Sequence, residues 1–239
     1  MKQLRLNGFS LKIIAMITML IDHIGLVFFP EVGTFRLIGR LAFPIFCFLL
    51  VEGFYHTSNV KKYMGRLLLF AVVSEYPFDL LANMPGNYMK SQNIFFTLFL
   101  GLVAIYLMDQ ADRKYPMEFF VKSIIDVVIA IVFSSIAMIL KTDYNVLGVF
   151  YIVIFYLYRG RHFFIFLCIE IITIYFCGGL YVKGHMIRQN FAGFAVLLTA
   201  LYNGERGPKI KYLFYIFYPL HILVLVGLYY LLNGQLPTG

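Results

Sequence analysis

The sequence predicts an all-α, polytopic bundle of transmembrane helices, folded as a single domain over residues 1–239. Three observations predict it. Hydrophobic residues make up 61% of the chain and charged residues only 13%, a balance that no water-soluble core of this size requires. The apolar residues collect in runs, most of them long enough to cross a bilayer at about 1.5 Å of rise per residue. The connections between runs are short, with no repeat, low-complexity tract or linker able to separate two domains.

About nine spans are expected, near 11–29, 37–56, 63–82, 94–110, 120–140, 145–158, 162–180, 187–203 and 212–232. The first, LKIIAMITMLIDHIGLVFF, is too long for the apolar part of a signal peptide and no small-residue cleavage site follows, so it is expected to stay as a span. The second carries Pro44, which removes a backbone hydrogen bond and predicts a kink where the backbone lines protein or a cavity. The sixth is short and reads as a half-helix or as a tightly turned hairpin partner of the seventh. Cys47, Cys168 and Cys177 lie within apolar spans and lack CxxC spacing, so they read as small core residues. Lys and Arg concentrate on the side of the N-terminus. With that side cytoplasmic, only Arg36, Arg40, Lys90, Lys141, Lys183 and Arg188 of the 20 fall outside. The bias predicts a cytoplasmic N-terminus and, with nine spans, an external C-terminus. The net charge of +8 is thus a topology signal that needs no nucleic-acid partner.

Asp22-His23 is the most informative pair, because between Lys12 and Glu31 no other charged side chain interrupts the first run. A charge in hydrocarbon costs about 3 kcal/mol on insertion scales, so such residues usually face a cavity, a partner or a pathway. A helix-packing hydrogen bond is the plainer alternative. Successive helical positions point about 100° apart, so one of the pair is expected to address a cavity while the other anchors a neighbouring helix. Arg36 and Arg40 lie one turn apart in FRLIGRLAFPIF; Arg36 reads as a solvated end-of-helix charge and Arg40 as the buried partner of Asp22.

Further polar groups follow the same one-turn spacing: Glu52 with His56, Glu75 with Asp79, and Asn93 with Thr97. Arg66, Tyr218 and His221 lie within apolar runs as well, and Pro219 precedes His221. Singly, each is helix glue worth about 1 kcal/mol. Together they predict a file of acid, base and amide groups running through the bundle. Several chemistries are excluded by missing motifs: no Walker or Rossmann glycine loop, no HExxH and no GxSxG is present, and the ExxxH of Glu52 and His56 is a weak metal signal. No metal is expected. An Asp-His acid–base unit remains, with a second intramembrane histidine and arginine beside it.

MLIDHIG, FRLIGRLAFPIFCFLLVEGFYHT, KYMGRLL, EYPFD and NIFFTLFLG together resemble the TraX family of membrane proteins, and the ending KYLFYIFYPLHI is similar to that family's C-terminal YPxH element. The resemblance covers essentially the whole chain and is strongest over residues 13–101. The family's founding member is associated with N-terminal acetylation of conjugative pilin. By distant similarity the family is grouped with transmembrane acyltransferases that carry acetyl from cytoplasmic acetyl-CoA to acceptors across the membrane.

The resemblance therefore implies an N- or O-acyltransferase in the cell membrane, using acetyl-CoA as co-substrate. The acceptor would be a peptide N-terminus, a glycan or a small molecule; besides it, membrane lipid is the only other partner expected. On that reading the CoA phosphates would be held by some of Lys61, Lys62, Arg66, Arg159, Arg161, Arg206, Lys209 and Lys211. The pantetheine arm would follow the file of Glu52, His56, Glu75, Asp79 and Asn93. His23 would take the acceptor's proton while Asp22 or Arg40 holds the geometry, and Arg40, Asn93 or Tyr218 would stabilise the oxyanion. An acetyl-His intermediate is the variant, and His221 would be a second acid or an acceptor contact. Two other classes stay open. A proton-coupled transporter would also place Asp, Glu, His and Arg inside helices, and a non-enzymatic assembly factor would account for the membrane location.

Overall fold

The computed structural model describes residues 5–82, 91–114, 118–176, 189–208 and 210–236. Helices make up the architecture, and among the described residues there are no strands, only the isolated bridges Leu6–Tyr202 and Gln92–Thr142. In chain order they are α1 (Gly8–Phe28), α2 (Gly33–Gly39), α3 (Ala42–His56), α4 (Val60–Ala82), α5 (Ile94–Lys114), α6 (Phe119–Ile139), α7 (Asn145–Leu157) and α8 (His162–Phe176). A 3₁₀ turn (Phe191–Phe194) leads into α9 (Ala195–Ala200), and α10 (Lys211–Asn233) closes the chain. Each of the nine expected runs is mainly helical over its described part, with a break at Arg40–Leu41 in the second and a 3₁₀ turn in the eighth. By length and composition, five helical segments among the described residues are able to cross a membrane, namely 8–28, 33–56, 94–114, 119–139 and 212–233.

The core follows from which helices bury all their faces. Ile45 and Cys47 of α3, Leu102 and Ile105 of α5, and Tyr151 and Ile152 of α7 are fully buried, which makes these three the centre of the bundle. On the periphery, α6 and α8 turn large apolar side chains outward; Phe119 is 86% exposed and Tyr175 is 78% exposed. A continuous apolar exterior of this kind suits hydrocarbon, where helices already satisfy their own backbone groups.

The break in the second run falls earlier than the sequence predicts. The helix stops at Gly39, turns through Arg40 and Leu41, and restarts at Ala42. Pro44 therefore occupies the first turn of α3, where its missing N–H has no helical partner to lose, and it does not kink a continuous helix. α2 lies tightly on α1. A Cβ at Gly39 would come within 2.1 Å of Asp22 Oδ1, and one at Gly25 within 2.2 Å of Phe35 Cβ. Only glycine permits this approach, which carries the arginines of α2 to the acid of α1.

Two backbone ties close the ends. At the lower end, where α1 begins, Leu6 N–H donates to Leu201 O (2.8 Å) and Gly8 N–H to Glu205 O (2.7 Å). Asn7 Oδ1 caps α1 by accepting from Ser10 N–H at 2.9 Å. At the upper end, Asp143 N–H donates to Gln92 O (2.7 Å), tying the α6–α7 turn to the start of α5. In that turn Lys141, Tyr144 and Asn145 all have positive φ (53°, 59° and 46°). Left-handed backbone at a non-glycine residue costs on the order of 1 kcal/mol and persists only where the surroundings enforce it. Here it aims Asp143 and Tyr144 into the bundle.

Candidate functional site

A cavity of about 710 Å³ runs inside the bundle between α1, α3, α4, α5 and α10, joining the lower end to the upper. Lys12, Lys62, Arg66 and Arg206 line its lower mouth with the aromatic rings of Tyr63, Tyr202, Phe214 and Tyr215. Lys12 Nζ stands 4.9 Å from the centre of the Phe214 ring, and the Arg66 guanidinium 5.5 Å from that of Tyr63. Arg66 also hydrogen-bonds Tyr215, yet its buried Nε has no partner. The middle is apolar, walled by Phe46, Leu49, Leu50, Leu67, Phe95 and Leu98. At the upper mouth Asp22, His23, Arg36, Arg40, Asp143 and Tyr144 converge.

Asp22 Oδ2 accepts from Arg36 Nη1 at 2.6 Å. Arg40 Nη2 is 3.7 Å from Asp22 Oδ1, an oxygen that is buried without a hydrogen-bond partner. This corrects the reading of Arg36 as a solvated charge. The break after Gly39 turns α2 across α1 and makes Arg36 the closer partner. Arg40 instead reaches several acceptors: its Nε donates to Arg36 O (3.2 Å), its Nη1 to Gln189 Oε1 (3.2 Å), and it hydrogen-bonds Tyr144. Asp143 lies within their field. Burial pushes its carboxyl up to about 6, against the pull of the Tyr144 N–H, Arg40 and Arg36, while Asp22 pushes in the same direction as burial. Burial also raises the Tyr144 hydroxyl.

His23 turns away from this cluster toward α10. Its Nδ1 is 2.7 Å from His221 Nε2, and the two ring planes are within 1° of each other. Nδ1 of His221 donates to Phe217 O at 2.7 Å. Both members of the Asp22-His23 pair therefore line the cavity, each held by a different neighbour.

The expected polar file divides in two. Asp22, His23, Arg40, Glu52, His56, Lys62, Arg66 and Tyr218 line the cavity. Glu75, Asp79, Asn93 and His221 do not, and Lys61 is exposed outside it. Asn93 sits before α5 and stitches it to α4: Nδ2 donates to Ala71 O (2.7 Å) and Glu75 Oε2 (2.5 Å), and Oδ1 accepts from Phe95 N–H (3.0 Å). An amide so engaged is not placed as an oxyanion donor. Asp79 is buried, and Thr97 donates to Asp143 O, which ties α5 to the α6–α7 turn. Glu52 accepts from Arg159 through both oxygens, at 2.7 and 3.1 Å, which withdraws Arg159 from the cations free for a phosphate and raises its already high pKa. Arg161 is exposed and does not line the cavity. Lys209, Cys177 and the side chain of Lys211 lie outside the described residues.

Lys12, Asp143, Tyr144 and Gln189 carry site positions that motif spacing did not single out. Lys12 counts in the sequence only as a topology charge, and no motif or spacing marks Asp143 or Tyr144; the left-handed backbone of their turn accompanies the inward aim.

The fold and cavity define a class: a polytopic all-helical membrane protein with a cavity inside its helices that is polar at both mouths. The TraX protein family model matches residues 7–229, and the chain belongs to the TraX family of membrane proteins. It is 32% identical over 249 residues to the probable fimbrial assembly protein FimC, serogroup H1, of Dichelobacter nodosus, covering 92% of this chain and 94% of that protein. It is also 35% identical over 96 residues to the uncharacterised protein RP591 of Rickettsia prowazekii (strain Madrid E), covering 40% of this chain and 35% of that one. No solved structure matches it.

Proposed function

We propose that this protein is a cell-membrane acyltransferase that moves an acetyl group from cytoplasmic acetyl-CoA at the lower mouth to an amine or hydroxyl at the upper mouth. One observation carries the reading: a single cavity joins a cation-lined aromatic mouth to His23, Asp22 and Arg40. CoA is a phosphorylated head on a narrow arm that ends in a thioester. Lys12, Lys62, Arg66 and Arg206 would hold the phosphates, the guanidiniums through paired hydrogen bonds and the ammoniums as point charges. The apolar middle would take the arm. The lower end is the side rich in Lys and Arg, which supports a cytoplasmic position for it.

At the upper mouth His23 takes the proton from the acceptor N–H or O–H as that atom attacks the thioester carbonyl. Arg40, whose Nη2 is 3.7 Å from Asp22 Oδ1 at the same mouth of the cavity, would donate to the developing oxyanion. Collapse breaks the carbon–sulfur bond, and the leaving thiolate takes the proton back from His23. Because its relative is named for fimbrial assembly, a surface-fibre subunit is the acceptor to test first.

The test is release of free CoA from acetyl-CoA by purified protein in nanodiscs. The wild type is expected to release it, and His23→Ala to lose at least about 10²-fold, the usual contribution of a general base. Full transfer by His23→Ala sinks the base assignment. Neither release nor binding of acetyl-CoA favours proton-coupled transport instead.

A further inference from the structure

His23 is the base in the proposed reaction, but a neutral imidazole is a base only at the nitrogen that lacks a proton. Which nitrogen that is follows from a chain of contacts ending on a backbone carbonyl. Phe217 O has no proton to give, so His221 Nδ1, 2.7 Å away, must carry one. The neutral His221 ring then has a bare Nε2. That nitrogen faces His23 Nδ1 at 2.7 Å, so His23 Nδ1 carries the proton of the shared bond. The remaining nitrogen of His23, Nε2, is left with its lone pair on a ring that lines the cavity.

The ring geometry suits this relay. The planes are parallel to 1°, and the 5.0 Å between centroids matches the nitrogen–nitrogen distance plus the two ring radii. The rings therefore meet edge to edge in one plane, with the hydrogen bond along the lone-pair direction.

We infer that His221 is a positioning residue that sets the tautomer of His23, holding Nε2 of His23 bare toward the reacting groups. The inference rests on the transferase reading for its catalytic consequence, while the tautomer itself does not. When His23 accepts a proton at Nε2, its Nδ1–H continues to donate to His221 Nε2, while His221 Nδ1–H donates to Phe217 O. The positive charge is thus shared along a neutral chain. In hydrolase triads a carboxylate does this work. Here the nearby carboxylate, Asp22, is engaged by Arg36 and Arg40, and His221 takes its place.

The relay has a second state. A proton gained by His221 at Nε2 turns that atom into a donor, forces His23 to present a lone pair at Nδ1, and moves the His23 proton to Nε2. The base is then blocked. The charged groups around the pair are Asp22 on α1, Arg36 on α2, Arg40 at the α2–α3 corner and Asp143 in the α6–α7 turn, and Tyr218 of α10 packs edge-on against His221.

The experiment uses the full chain in nanodiscs with ¹⁵N-labelled histidine, the His23 signals being assigned by their loss in His23→Asn. Wild-type protein at neutral pH is expected to show His23 protonated at Nδ1. His221→Leu, which removes the acceptor, should move the proton to Nε2, the form that free imidazole side chains prefer. It should also lower kcat for CoA release about 10²-fold with KM for acetyl-CoA unchanged. His221→Gln, whose amide oxygen can accept from Nδ1–H, should keep both the wild-type tautomer and most of the rate. It should also lose the acid-side inhibition that comes from protonating His221. An Nε2-protonated His23 in the wild type, or an unchanged tautomer in His221→Leu, overturns the inference. Should no variant or wild type turn over acetyl-CoA while the tautomers behave as stated, the transferase reading fails and the relay stands.

Discussion

At either end of the broken α2–α3 segment a carboxylate meets arginine, and the two meetings differ. At the lower end both oxygens of Glu52 are filled by the fork of Arg159, and His56 Nδ1 stands 3.8 Å from Oε2. At the upper end Asp22 fills one oxygen with Arg36 and leaves the other without a hydrogen bond, although Arg40 is close. The first arrangement is closed: both oxygens accept from one guanidinium, which holds α3 to the end of α7. The second is open, and an incoming group has both an acceptor and a donor to use. Charge type does not separate a staple from a candidate site in this bundle; what separates them is whether the carboxylate keeps an oxygen without a hydrogen bond.

The comparison is broken most sharply by substitution at each end. Asp22→Ala should lower CoA release about 10²-fold, because it removes the charge that holds both arginines at the cavity. Arg159→Ala should act on the thermal midpoint instead. It leaves Glu52, with a side chain only 9% exposed, without its fork. The cost is expected at about 2 kcal/mol, lower than for a wholly buried pair because Arg159 is itself partly solvated. Arg159→Ala protein that remains folded should release CoA at nearly the wild-type rate. Equal losses of activity at both ends would erase the distinction.

A smaller effect sharpens the comparison from the backbone side. Gly39→Ala inserts a methyl 2.1 Å from Asp22 Oδ1, so α2 must move off α1, at about 1–2 kcal/mol by the usual cost of overpacking. Activity should fall with it as Arg36 loses its distance from Asp22, whereas Gly65→Ala, with open space around it, should be silent in both assays.

The smallest effect is a pH slope. The folded Asp143 carboxyl titrates near 6, above its ordinary 3.8, so between those values the folded chain holds a proton that the unfolded chain has released. Stability therefore falls as pH rises from about 4 through about 6, then levels off. Thermal midpoints across that window should show the slope in the wild type and a flatter line in Asp143→Asn.

Much of this was legible in the chain. The apolar runs became helices at nearly their expected limits, because in hydrocarbon a backbone must bond within its own segment and local composition decides where that is possible. The cost of a charge in or beside an apolar run singles out Asp22, His23, Arg40 and Arg66, and all four line the cavity, as does Lys62, which the resemblance points to. Glu75 and Asn93 raised the same alarm and proved to be a stitch between α4 and α5, since the cost of burial is met equally well by a neighbouring helix. At a helix end Arg36 is expected to face solvent, and the break at Gly39 overrides that tendency.

By itself the sequence determined that the chain is a helical membrane bundle, which segments are helical, where its cations gather and which polar residues needed an explanation. These depend on hydrophobicity and backbone bonding, which act over a turn or a run. Only the tertiary structure decided which polar groups share a cavity. His23 and His221 are 198 positions apart, and Asp22 finds Arg36 because Gly25 and Gly39 let two helices touch. Such partners are chosen by packing, and packing is not written in the spacing of residues along one helix.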